Sequence, residues 1–226
     1  MTEHRRNVPG LESGLAGSNP ALPASSAGDA EATDPHGGRG DRGRGSGAGP
    51  EAALADQDDP ANRAVSWDII NLDATNHVTK GGHASAFAND GSKITVTGSG
   101  TFRSNSGDPE DVTGSGTWAT SGGAVGTHSG TYRVTKLVSF RPAPGTPPAA
   151  NIDLIGPGPG HAGLVTLRVR YSDGSEGVLV VSCHLVGTPN SVFEGITASM
   201  GFVDFWNREA PTPGVNADRT VFHFLK

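Results

Sequence analysis

The sequence predicts an all-β fold, an antiparallel β-barrel of about eight to ten strands behind a long disordered N-terminal tail. Three observations carry that prediction. Residues 1–60 contain no aromatic residue and no apolar periodicity. The rest of the 226-residue chain alternates apolar and polar side chains in short runs punctuated by Gly and Pro, with no helical spacing. A short phrase also recurs three times: Gly98-Ser99-Gly100-Thr101-Phe102, Gly114-Ser115-Gly116-Thr117-Trp118 and His128-Ser129-Gly130-Thr131-Tyr132. Its spacings of 16 and 14 residues suit a strand and a turn repeated as a meander.

The domain boundary falls at residues 62 and 63. Residues 1–62 are rich in Gly, Ala, Ser, Pro and Asp and cannot bury enough surface to offset their conformational entropy. Residues 63–226 are long enough for one core. The net charge of −6 divides unevenly: residues 1–60 hold five Arg against ten acids, and the remainder twelve basic residues against thirteen acidic. A near-neutral folded part without a basic stripe argues against a nucleic-acid partner. The Gly37–Arg44 segment, with its Arg-Gly-Asp triplet, reads as solvated tail. A single cysteine, Cys183, rules out an internal disulfide framework. No apolar run reaches the ~18–20 residues that span a bilayer, and no apolar core follows Arg5 and Arg6 as a signal requires. The expectation is a soluble cytoplasmic protein without a membrane partner.

The first strand covers residues 65–72 and ends before the break at Gly81-Gly82. A weak strand at 84–88 turns at Asn89-Asp90-Gly91, and Lys93–Thr97 then alternates apolar and hydroxyl residues into the first repeat. Parity puts Ile94, Val96, Gly98, Gly100 and Phe102 on one face. Gly114, Gly116 and Trp118 share a face in the second copy, and His128, Gly130, Tyr132 and Val134 in the third. Paired glycines before an aromatic let a strand coil sharply and fill the bend, which favours a barrel over an open sandwich with glycines at bulges. The third strand continues to Arg141. A long Pro/Gly-rich loop, Pro142–His161, carries an apolar island at 152–155 and has the length of a lid or binding loop. Strands at 164–171 and 178–186 flank a hairpin turn, and strands at 202–206 and 220–225 close the chain.

No phosphate loop, nucleophile elbow or His-Glu-x-x-His motif is present. No His-x-His pair suggests a metal centre, so neither a metal nor another cofactor is expected. What remains is a set of polar residues inside apolar strands: His184, Glu194, Asp204 and His223. Buried groups of this kind must be paired or shifted in pKa, and they concentrate at functional sites. His128 stands where the first two copies of the repeat carry glycine, so its imidazole is expected at the interior. The candidate catalytic residues are therefore His128, His184 and Glu194. Phe102, Trp118, Tyr132, Asp204 and His223 are the candidate ligand-binding residues.

The stretch Gly187–Val203, with Phe193, Gly195 and Gly201, resembles the allene-oxide-cyclase and dirigent barrel family. That resemblance implies an antiparallel barrel with an apolar cavity, often oligomeric, that steers cyclisation or coupling of a reactive intermediate. The expected function is thus binding of a small apolar molecule, with cofactor-independent cyclase or isomerase chemistry in the cavity. Two alternatives stand beside it. One is a structural or interaction barrel filled by its own aromatics. The other is a metal-assisted enzyme using two or three of His128, His161, His184 and His223.

Overall fold

The computed structural model describes residues 62–104 and 111–225. Residues 1–61 of the predicted tail lie outside them. The described chain is all-β, with fourteen strands in one sheet and no α-helix. In chain order they are β1 (Ala64–Leu72), β2 (His77–Lys80), β3 (Ala84–Phe87), β4 (Lys93–Val96), β5 (Ser99–Arg103), β6 (Ser115–Ser121) and β7 (His128–Ala143). There follow β8 (Ile152–Asp153), β9 (Ala162–Tyr171), β10 (Glu176–Cys183), β11 (Gly195–Met200), β12 (Val203–Phe205), β13 (Asn207–Arg208) and β14 (Gly214–Phe224). The hydrogen-bonded path runs β12-β11-β10-β9-β7-β6-β5-β1-β2-β8, with β14 on β1 and the β3–β4 hairpin on β6. Every ladder is antiparallel except the short β2–β8 pair.

This path does not close into a cylinder. Between β14 and the start of β9 stands one isolated bridge, His161 opposite Phe222. Its two main-chain hydrogen bonds measure 2.8 and 3.4 Å.

The parity read through the repeats is the parity observed. Ile94, Val96, Phe102, Trp118, Tyr132 and Val134 are buried, and the intervening Ser99, Arg103, Thr117, Thr131 and Arg133 are exposed. The register explains the glycines. Trp67 lies opposite Gly100, Tyr132 opposite Gly116 and Trp118 opposite Gly130, so each large ring sits across from a residue with no side chain. A Cβ on Gly116 would come within 2.0 Å of the Thr97 carbonyl oxygen, and one on Gly100 within 2.2 Å of that of Thr113. Close backbone approach therefore requires glycine at both.

The interior is filled. Phe102 packs on Phe140 at 4.9 Å between ring centroids, Phe140 on Phe222 at 5.4 Å, and Trp118 edge-on to Tyr171 at 5.9 Å. Two bulges in β7, at Val134/Lys136 and Leu137/Ser139, let this 16-residue strand bend while Leu137 and Phe140 stay inward.

β1 is buried on both faces. Val65, Trp67 and Ile69 enter the main core, whereas Ile70 and Leu72 join a smaller cluster with Val78, Ala217 and Val221. The 144–161 segment lies over that second cluster: Ile155 packs against it, and the Ile152 N–H bonds the Asn76 carbonyl.

Candidate functional site

A cavity of about 240 Å³ opens between the second cluster and the 144–161 segment. Its apolar wall comes from Ile70, Leu72, Val78, Leu185 and Val221, and Pro147, Pro148 and Pro159 form part of its roof. Its polar wall holds His184, Glu194, Arg219, Thr220, Asn151 and Asp153.

Glu194 stands where β10 and β14 diverge. The main-chain N–H of His184 donates to its Oε2 at 2.5 Å, and that of Thr220 to its Oε1 at 2.7 Å. One carboxylate thus joins the end of β10 to the middle of β14, aided by the Thr220 hydroxyl donating to the Ser182 carbonyl at 2.7 Å. Burial pushes the Glu194 carboxyl up to about 7, against the opposing pull of those two N–H donors and of Arg219.

His184 is half-buried, and its Nδ1 lies 2.7 Å from the Val192 carbonyl oxygen. A carbonyl only accepts, so Nδ1 carries the proton and Nε2 is the basic nitrogen of the neutral ring. The neighbouring Arg219 Nε is buried without a hydrogen-bond partner.

A second polar group borders the cavity. His223 is fully buried and its Nε2 lies 2.8 Å from Asp153 Oδ2, which ties the covering segment to β14. The ring fits because position 156 is glycine, where a Cβ would sit 2.4 Å from the imidazole. Asp68, on the same face of the adjoining strand, is also buried, with Lys80 Nζ 3.8 Å away. Burial raises its carboxyl pKa, while Lys80 and His223 pull it back. His161 packs at a tilt against Phe224, with 4.4 Å between ring centroids, and burial lowers its imidazole, as does the proximity of His223 and Arg63.

The structure therefore brings together His184, Glu194 and, through Asp153, His223. The other candidates lie elsewhere. Phe102, Trp118 and Tyr132 belong to the packed core and do not line this cavity; the Tyr132 hydroxyl donates to the Thr97 carbonyl at 2.8 Å, and the Trp118 indole to that of Thr131 at 3.1 Å. His128 corrects the expectation of an inward imidazole: it is exposed as the first residue of β7, and burial on that face begins only at Tyr132. Asp204 is exposed on β12, beside a shallow outer groove with Trp206. Cys183 is buried in the core, and burial raises its thiol well above the usual range. Among the described residues, no group of three or more His, Cys, Asp or Glu is arranged to hold a metal ion.

Sequence reasoning missed Arg219, Asp68 and Asp153. Asp68 carried the signal used for Asp204, a carboxylate within an otherwise apolar strand. Arg219 and Asp153 carried none, because their importance comes from contacts across distant parts of the chain.

No protein-family model, no curated protein and no solved structure matches this chain. Among the described residues no helix is long and apolar enough to cross a membrane.

Proposed function

We propose that this protein binds a small, mainly apolar molecule with one polar end in the cavity beneath the 144–161 segment. The observation that carries this reading is the lining: an aliphatic and proline wall facing His184, Glu194 and Arg219. Small-molecule sites are typically apolar with a few placed polar groups that fix orientation. At about 240 Å³ the cavity suits a compact ligand. The Arg219 Nε, buried without a partner, supplies a donor for the ligand's polar end. A barrel-like wall belongs to the same reading. The His161–Phe222 bridge and the Glu194 link between β10 and β14 support closure on the side where the ladders stop.

A second reading, cofactor-independent isomerisation of the bound molecule, is favoured by the tautomer of His184. Its Nε2 would take a proton from one ligand atom and return it to another. The ligand's bonds would rearrange with no net gain or loss of electrons.

Native mass spectrometry of the chain purified from its own host tests binding. The wild type is expected to retain a small molecule that Val78→Trp excludes and Arg219→Gln holds less well, with the thermal transition showing that both variants fold. A wild type carrying no adduct and taking up no 1-anilinonaphthalene-8-sulfonate would overturn the reading. With the ligand identified, undiminished turnover by His184→Gln would remove the isomerase reading and leave binding intact.

A further inference from the structure

The outer face of β7, β9 and β10 carries a feature that shares no residue with the cavity. Arg133 lies directly opposite Arg170, and Lys136 directly opposite Arg168. Like charges facing each other across strands are destabilising, and here they do so in two consecutive outward pairs. The arrangement depends on the first bulge in β7. Simple alternation would put Arg133 and Lys136 on opposite faces, but the register shift between Val134 and Lys136 leaves both exposed on one face.

Very little neutralises this cluster. Glu176 pairs with Arg170, whose Nε donates to it at 3.0 Å. Among the described residues no carboxylate lies within ion-pair distance of Arg133, Lys136 or Arg168. The hydrogen bond and charge of Arg170 hold the Glu176 carboxyl below the usual range, with smaller pulls from Arg168 and Arg133, so three guanidinium groups act on one acid. Together these side chains border a groove of about 610 Å³. Residues 61–226 hold twelve basic and thirteen acidic residues, so overall composition does not account for four cations gathered here.

We propose that this groove binds the adjacent phosphate groups of a soluble oligophosphate, either inorganic or the phosphate chain of a nucleotide. Guanidinium forks match phosphate oxygens bidentately. Neighbouring strands are ~5 Å apart and residues two positions apart on a strand ~7 Å, so the four cations span two or three neighbouring phosphates. No aromatic side chain lines the groove, so it has no platform for stacking a base. Among the described residues four cations line the groove, too few for the stripe that tracks a polynucleotide. A bound oligophosphate offsets the repulsion that two like-charge pairs otherwise impose on the sheet.

Titration calorimetry of the full chain with inorganic tripolyphosphate, in magnesium-free buffer, tests this. The wild type is expected to bind, less tightly as salt rises, with ATP close to tripolyphosphate and orthophosphate much weaker. Arg133→Gln and Arg168→Gln should each lose about tenfold in affinity, as loss of one charge-assisted contact predicts. Glu176→Gln should bind more tightly, because it removes a competing carboxylate. In buffer without oligophosphate, Arg133→Gln should melt above the wild type, and tripolyphosphate should raise the melting temperature of the wild type far more than that of the variant. No binding of tripolyphosphate, or undiminished wild-type affinity in both glutamine variants, would overturn the proposal. So would orthophosphate binding as well as tripolyphosphate, or a single-stranded oligonucleotide binding more tightly at matched phosphate.

Discussion

The two faces of β1 bury different things. Val65, Trp67 and Ile69 face an aromatic core, whereas Asp68, Ile70 and Leu72 face a cluster of aliphatic and ionisable groups under the 144–161 segment. Polar atoms on the core side are mostly spent on main-chain partners: Trp118 on Thr131, Tyr132 on Thr97 and Tyr171 on Ser199. The Trp67 Nε1 and the Thr120 Oγ1 are exceptions there, buried with no hydrogen-bond partner, and on the other face of β1 the ionisable His223 Nδ1 and Arg219 Nε are buried in the same way. Native interiors rarely leave such groups unpaired without a reason. One strand thus separates an aromatic core from a cluster of aliphatic and ionisable groups, the side on which we propose that a ligand binds. The difference shows that the aromatic repeat builds the packed side of β1, while the buried ionisable groups gather on its reverse side.

The largest expected effect breaks the scaffold side. Phe102 is buried between strands and packs on Phe140. Phe102→Ala should cost about 3–5 kcal/mol of stability, the range for removing a buried aromatic, as measured by urea denaturation. Whatever fraction remains folded should keep the 240 Å³ cavity and the ligand binding we propose for it. Loss of ligand from folded Phe102→Ala would show that the two faces are not independent.

How much of this could be read from the sequence follows the same division. Alternation in β4 to β7 is a local property, so the parity of Ile94, Phe102, Trp118 and Tyr132 was legible, as was the all-β class. Polar residues in apolar strands drew attention to His184, Glu194 and His223, all three at or beside the cavity. His128 misled, because a repeat specifies phase but not where the sheet ends, and β7 begins before burial does. The strand β11 went unread, its Gly195–Met200 run having too little alternation to stand out from the preceding turn. Pairings between β1 and β14, or between Asp153 and His223 seventy positions apart, depend on tertiary contacts that no local pattern encodes.

A smaller effect sharpens the binding side. The folded-state pKa of Glu194 is about 7, above its ordinary 4.5, because burial disfavours the charged form. A raised carboxyl contributes stability that is full below 4.5 and is lost as pH rises through about 7. Asp218, buried and accepting a hydrogen bond from the Ser85 N–H at 2.6 Å, is raised to about 6 and acts with the same sign. The melting temperature should therefore fall between pH 5 and pH 8 in the wild type. Glu194→Gln should flatten that slope. It should also lower stability by about 1–3 kcal/mol, because an amide oxygen cannot accept both the His184 and Thr220 N–H groups at the two carboxylate positions. A variant that keeps the full pH slope would place the titration on another group.

The smallest effect belongs to an outer face that is wet. Thr97 and Thr117 join hydroxyls across the β4–β5 connection and β6 at 2.8 Å, and the Thr117 N–H also donates to Thr97 Oγ1 at 3.0 Å. This hydrogen-bonded pair is exposed, so water takes over either partner when the other is removed. Thr97→Val keeps the branched side chain that suits a strand and should change stability by about 0.5 kcal/mol. Denaturation of Thr97→Val beside Glu194→Gln compares the same kind of loss, an acceptor for a main-chain N–H, in wet and dry surroundings. The Glu194 change should cost several times more, because its orphaned N–H has no water to turn to. Equal costs would mean that water reaches the 144–161 cavity freely, and its ligand would then have to be bound chiefly through polar contacts.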